Sequence, residues 1–219
     1  MNFNLARKNM VASQIRANQV TNLNVIEAFG KIPRESFVPK IMSEVSYNDD
    51  EINFSRNRSM MRPMLLAKFF QELDMSGNET ILHIGANTGY ASAVLSELSS
   101  AVISIESDKR LYEKSINVLS SLGIDNVVPL HSPMENGFAK EAPFDIIFIE
   151  GAIEEKPFTL FDQLTLNGKL ATIIRPKGDP LGKGMIFNKN SENKITDSEL
   201  FDAQSFSLQI FRAKEKFIF

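Results

Sequence analysis

Apolar positions follow two rhythms along this chain. Up to about residue 75 they recur at helical spacing. Leu5, Met10, Val11 and Ile15 share a face of one predicted helix, and Val25, Ile26 and Phe29 share a face of a second. A third predicted helix, PMLLAKFFQEL, begins at Pro63, where a missing N–H costs nothing. Thr21 is a good N-cap for the second helix. IPRESFVP, bounded by Pro33 and Pro39, reads as loop or short turn, and YNDDEINFSRNRSMMRP reads as a polar, turn-rich connector. From Thr80 the pattern switches. TILHIG, AVISIES, NVVPLHS, FDIIFIEG and KLATIIRP are short, β-branched, continuously apolar runs. Between them YASAVLSELS, DKRLYEKSINVLSSLG and PFTLFDQL read as helices, the second ending at Gly123. Alternation of this kind predicts a mostly parallel sheet, buried on both faces, with helices on either side. The stretch from Lys177 to Leu200 reads as a long loop or hairpin, and SLQIFRAKEKFIF as a source of late, antiparallel strands. The expected organisation is an N-terminal helical extension with a connecting loop over residues 1–75 and an α/β core over 76–219, compact as a whole.

Composition narrows the function classes. At 219 residues the length suits one domain, and 43% hydrophobic with 23% charged residues is ordinary for a globular protein. A formal net charge of −3 gives no basic surplus for nucleic acid or an acidic membrane. Cysteine is absent, which removes disulfides and thiolate chemistry and suits a reducing cytoplasm. The N-terminus has no long apolar run of the signal-peptide kind, and no stretch is apolar enough to span a bilayer.

The chemistry centres on HIGANTGY. Gly85 ends the first core strand with a tight turn, and Gly89 lets the next helix start close to a ligand. Such a loop presents N–H groups and a positive helix end. About 20 residues on, Glu106 ends the second core strand, where an acid can accept both hydroxyls of a ribose. Loop and acid together fit either a dinucleotide or S-adenosylmethionine.

Several longer stretches resemble the protein-L-isoaspartate O-methyltransferase family. MVASQIRANQVTNLNVIEAFGKIPRESFVP is similar to that family's N-terminal signature, SYNDD to its "AY.D", ILHIGANTGYASAVLSEL to its "VLEIGTGSGYQAAVLA.L", and APFDIIFIEGAIEEKPFTLFDQLTLNGKL to its "APYD.I.V.AA....P..L..QL..GG.L". The matches run in order and at the right spacing to about Pro176. The resemblance implies a Rossmann-like, seven-stranded methyltransferase fold, S-adenosyl-L-methionine as cofactor, and methylation of isoaspartyl carboxylates in damaged protein or peptide. It implies a monomer or weak dimer with no nucleic-acid or membrane partner. It places the cofactor against His83, Gly85, Asn87, Gly89, Glu106, Ser107, Pro133 and Met134, the substrate against Arg58, Met61, Arg62 and Pro63, and leaves Ser59 as the candidate catalytic hydroxyl.

The sequence departs from the family where the chemistry lies. The family's "G.GQTISQP" reads SRNRSMMRP: Ser55 and Asn57 stand for glycines, Arg58 for glutamine, Ser59 for threonine, and Met61 for the serine that reaches the reacting carboxylate. A thioether donates no hydrogen bond. Arg58 and Arg62 could grip a carboxylate bidentately instead. His83 replaces the glutamate of the first core strand, Asn87 a glycine, and Pro133 the aspartate that accepts from the adenine amino group. Asn tolerates positive φ, so the loop backbone survives that change. His83 and His131 both fall at strand ends, yet two histidines without a placed carboxylate do not make a metal site, and packed, hydrogen-bonded roles are expected of them. Asp145 reads as a structural cap and Glu150 as a solvated carboxylate that could replace the lost acids only by turning inward. Three readings follow: an isoaspartyl-type or related methyltransferase; a non-catalytic or altered-substrate descendant with a weakened cofactor site; and a dinucleotide oxidoreductase, against which the missing "G.G..G" spacing counts.

Overall fold

The computed structural model describes residues 1–55, 58–192, 194–209 and 211–212. Asn57 and most of the tail read as late strands lie outside the described residues. Helices α1 (Phe3–Met10), α2 (Leu23–Lys31) and α3 (Pro63–Leu73) form the N-terminal part, with α3 starting on Pro63. The cap of α2 is Asn22 rather than Thr21: its side chain accepts from the Asn24 and Val25 N–H groups, while Thr21 N–H donates to Gln71. The connector expected to be irregular contains a two-stranded hairpin, β1 (Ile52–Ser55) and β2 (Arg58–Met60). Its alternation is hidden because β2 is buried along its whole length, polar residues included.

The core sheet contains β3 (Thr80–Ile84), β4 (Ala101–Glu106), β5 (Val127–His131), β6 (Phe144–Ile153), β7 (Leu164–Ile174), β8 (Gly182–Ser191) and β9 (Lys194–Ala203), in the order β5-β4-β3-β6-β7-β8-β9. The pairs from β5 to β7 are parallel, and β8 and β9 add antiparallel. This is the seven-stranded, mostly parallel sheet that the alternating pattern and the family resemblance imply. Among the described residues its late antiparallel strands come from residues 182–203, as the hairpin alternative for Lys177–Leu200 expects.

Helices α4 (Tyr90–Ser96), α5 (Lys109–Ser121) and the short α6 (Phe158–Phe161) connect the strands. They divide unevenly. One face of the sheet shares a hydrophobic cluster with α1–α5, running from Met10 through Phe29, Phe69 and Phe70 to Phe148. The other face packs Leu82, Ile84, Ile105 and Phe187 under α6 and the connections on that side. Aromatic rings meet in the first cluster, where Phe69 and Phe70 each face Phe148, at 5.7 and 5.3 Å between centroids, while the second is mainly aliphatic.

Strand order reverses between β3 and β6, because β4 lies on one side of β3 and β6 on the other. In open α/β sheets ligands sit at the carboxyl ends of strands at such a point. Here β6 carries a bulge: Phe148 faces Ala171 and Ala152 faces Ile173, so Ile149, Glu150 and Gly151 share the space of one partner. Gly151 takes φ +138° there. The bulge turns the end of β6 toward the cleft.

Candidate functional site

Three left-handed residues shape the loop after β3: Gly85 at φ +79°, Asn87 at +52° and Gly89 at +93°. Asn87 meets the sequence expectation that it would accept positive φ. Its side-chain amide donates to the Gly85 carbonyl at 2.9 Å, which holds the turn closed, and to the Ser59 carbonyl at 3.0 Å. A Cβ on Gly89 would stand 3.3 Å from the Ser115 Cβ, so the glycine permits α4 and α5 to approach. A Cβ on Gly85 would stand 3.1 Å from the Glu150 carbonyl and 3.3 Å from Leu208.

The acid at the end of β4 is fully engaged by the chain itself. Glu106 Oε1 accepts from the Asp108 N–H at 2.8 Å and from Arg58 Nε at 3.0 Å, and Oε2 accepts from the Asn87 N–H at 3.0 Å. The Arg58 guanidinium also donates to Ser107 Oγ at 2.8 Å and lies 3.9 Å from the Met134 sulfur. Both side chains of the ion pair are enclosed, Arg58 at 10% and Glu106 at 3% exposure. Arg58, expected to face the substrate, therefore turns to the end of β4 and gathers Glu106, Ser107 and Met134 around itself. Pro133 is exposed on the surface beside buried Met134.

The rest of the hairpin is seated by backbone contacts. The Met61 N–H donates to Glu150 Oε1 at 2.9 Å, and its carbonyl accepts from Arg34 Nη2 at 2.9 Å. Met61 is wholly buried, so its thioether packs in the protein interior. Ser59, itself buried, donates its Oγ–H to Oδ1 of exposed Asn53 across the hairpin at 2.6 Å. Arg62 lies 3.5 Å from exposed Asp50, and its Nε, buried, has no hydrogen-bond partner. Pro63 is buried at the start of α3, and Ser59, the candidate catalytic hydroxyl, is engaged by Asn53.

Glu150 is the largest correction to the sequence reading. It is buried, not solvated. The β6 bulge directs one oxygen to the Met61 N–H and the other to within 3.3 Å of His83 Nε2. His83 Nδ1 lies 2.7 Å from Ser92 Oγ, and its ring packs on Phe148. The carboxylate absent from β3 has thus a counterpart one strand over, facing the same histidine. His131 has separate surroundings: its Nε2 meets the Ser107 carbonyl at 3.0 Å and its ring stacks on Tyr112. Asp145 caps strand ends, accepting from the Thr80 N–H and Thr165 Oγ1.

Beneath the hairpin lies a buried arginine that sequence pattern did not single out. Arg34 donates to the Ser46 and Met61 carbonyls, and its guanidinium sits 4.7 Å from the Tyr90 ring centroid. Burial holds the Arg34 guanidinium below its ordinary value and pushes the Tyr90 hydroxyl up to about 12. No periodicity marks an arginine for burial; only the local excess of carbonyls does, and that is a tertiary fact.

The loop backbone and Glu106 suit an adenosyl group in kind. A ribose diol brings two donors, however, and here the chain's own three already occupy most of the carboxylate's roughly four lone-pair sites. With Arg58 in place the site as arranged does not fit the cofactor. A cavity of about 340 Å³ lies at the opposite, amino edge of the sheet, lined by Asp74, Glu79, Asp145 and Lys169.

Similarity to known proteins agrees with this frame. The family described as "Protein-L-isoaspartate(D-aspartate) O-methyltransferase (PCMT)" matches residues 6–203. A protein-L-isoaspartate O-methyltransferase 1 of Syntrophobacter fumaroxidans is 33% identical over 200 residues, covering 91% of this chain and 92% of its own. An isoaspartate O-methyltransferase 2 of Anaeromyxobacter is 36% identical over 172 residues, 78% of this chain and 70% of its own. Among solved structures, a protein-L-isoaspartate O-methyltransferase superposes with a TM-score of 0.79 at 23% identity, over 92% of this chain and 65% of that one. A putative enzyme of the same kind from Plasmodium falciparum, in complex with S-adenosyl-L-homocysteine, superposes with a TM-score of 0.76 at 20% identity, over 93% of this chain and 98% of that one. The sheet order, the glycine loop and the acid that follows it belong together: this chain is a member of the protein-L-isoaspartate O-methyltransferase family.

Proposed function

We propose that this protein is an S-adenosylmethionine-dependent O-methyltransferase acting on isoaspartyl carboxylates in damaged protein or peptide. Family membership across residues 6–203 carries the reading. The cofactor supplies a methyl already activated on sulfonium, and the acceptor carboxylate is already a nucleophile, so the chain contributes alignment and exclusion of water. The residues proposed to hold the cofactor are Gly85, Asn87, Gly89, Glu106, Ser107 and Met134, with His83 and Glu150 at the sheet edge. Arg62, beside the hairpin and only partly buried, is the proposed contact for the substrate carboxylate. The protein is proposed to work in the cytoplasm as a monomer or weak dimer, with residues 1–75 as a helical extension on a 76–219 core. Among the described residues no helix is long and apolar enough to cross a membrane.

Incubation with methyl-labelled cofactor and an isoaspartyl peptide tests this. Label recovered as a base-labile ester in that peptide, and not in its aspartyl twin, supports the reading. No label with folded protein at saturating cofactor overturns it. The Arg58–Glu106 pair and buried Met61 favour a second reading, a divergent member that no longer transfers methyl groups. That reading falls if the peptide is labelled.

A further inference from the structure

We propose that Arg58 sets this chain's affinity for the adenosyl cofactor: its guanidinium holds Glu106 in place of the ribose hydroxyls, and the cofactor binds only molecules in which it has swung away. The inference rests on the methyltransferase reading and deepens it by naming what regulates the cofactor site. Arg58 Nε donates to Glu106 Oε1 at 3.0 Å, and Nη2 donates to Ser107 Oγ at 2.8 Å. With Asp108 and Asn87 donating from the backbone, three donors already crowd one carboxylate. A ribose diol would bring two more to a group with about four lone-pair sites. The guanidinium and the ribose therefore compete for one acceptor.

The competing group sits on an element able to yield. β1 and β2 form an isolated two-stranded hairpin, the register slips between Asn53 and Ser55, and two-stranded hairpins are marginal on their own. Besides the Arg58 contacts, it is tied to the core through Met61 to Glu150 and Arg34, through the Ser59 carbonyl to Asn87, and through Glu51 to Ser205 and Phe206. The family resemblance puts a neutral glutamine at position 58, which can hydrogen-bond but cannot pair with the acid as a cation. A cofactor that binds only the open fraction has its apparent affinity reduced by that fraction. Removing the cation should raise the open fraction and tighten binding by at least about tenfold.

Titration calorimetry with S-adenosylhomocysteine, on the wild type, Arg58→Gln and Arg58→Ala, measures this directly, with thermal melts confirming that each is folded. Binding to Arg58→Gln at least about tenfold tighter than to the wild type is the expected result. Equal affinity in the wild type and the variants overturns the proposal and leaves the methyltransferase reading standing. Absence of binding in all three overturns both. Tightened binding in Arg58→Gln without transfer to an isoaspartyl peptide upholds the proposal and overturns the assigned reaction. Should both variants fail to fold, nitrogen-edited NMR of the wild type decides. At millimolar S-adenosylhomocysteine the Arg58 Nε–H resonance should move to the position of a solvent-exposed arginine. An unmoved resonance, with or without binding, overturns the proposal.

Discussion

Gly85, Asn87 and Gly89 bend the β3–α4 loop with three left-handed residues in five, whereas Arg58, Ser59 and Met61 seat the opposing hairpin through an ion pair, a hydroxyl and two backbone bonds. The two segments touch at Asn87 and Ser59. The first is specified by backbone geometry, which a sequence states openly, because few residues accept positive φ. The second is specified by which distant side chain each polar group finds. Asn87 takes φ +52° in the loop, so the backbone course holds there while the hairpin is fixed by its side-chain partners.

Cutting the contact between the two is the most damaging test. Glu106→Ala leaves an enclosed guanidinium without its carboxylate, and the Asn87 and Asp108 N–H groups without an acceptor. A loss of about 3–5 kcal/mol, read from urea unfolding, is expected. Gly85→Ala attacks the loop alone. It forces a Cβ onto φ +79° and against the Glu150 carbonyl, and should cost about 1–3 kcal/mol in the same assay. Ser59→Ala attacks the hairpin alone, removing the bond to Asn53 Oδ1, and should cost about 0.5–1.5 kcal/mol. If Ser59→Ala proves more harmful than Gly85→Ala, the division between a backbone-coded loop and a side-chain-coded hairpin is wrong.

The smallest expected effect concerns Glu51, at the foot of the hairpin. Burial holds its carboxyl above the ordinary range, although Ser205 Oγ and the Phe206 N–H donate to it. The folded state therefore favours the protonated acid. That contribution is fully present below the ordinary carboxylate range and is lost as pH rises through the raised value. Relative to Glu51→Gln, the wild-type melting temperature should fall as pH rises from acid toward neutral. A difference that stays flat with pH would remove Glu51 as a titrating element.

Much of the frame was legible from the chain alone. Continuous apolar runs marked the parallel strands, Pro63 marked the start of α3, and Gly85 and Glu106 marked the ends of β3 and β4. What escaped depended on contacts between segments far apart in sequence. Glu150 read as a solvated acid because nothing in FDIIFIEG announces a bulge, yet the bulge buries it against His83 and Met61. Arg58 read as a substrate contact because its partner lies 48 residues away. For Lys177–Leu200 the sequence left loop and hairpin open, and the structure has the hairpin β8–β9, whose second strand is mostly exposed and so carries few apolar residues.

The bond from Glu51 to Ser205 spans 154 residues. One tie at the foot of the hairpin therefore depends on a residue far along the chain, whereas β1 and β2 pair locally. A contact of that sequence separation closes a long loop, so the foot of the hairpin is fixed by long-range folding and its pairing by short-range folding.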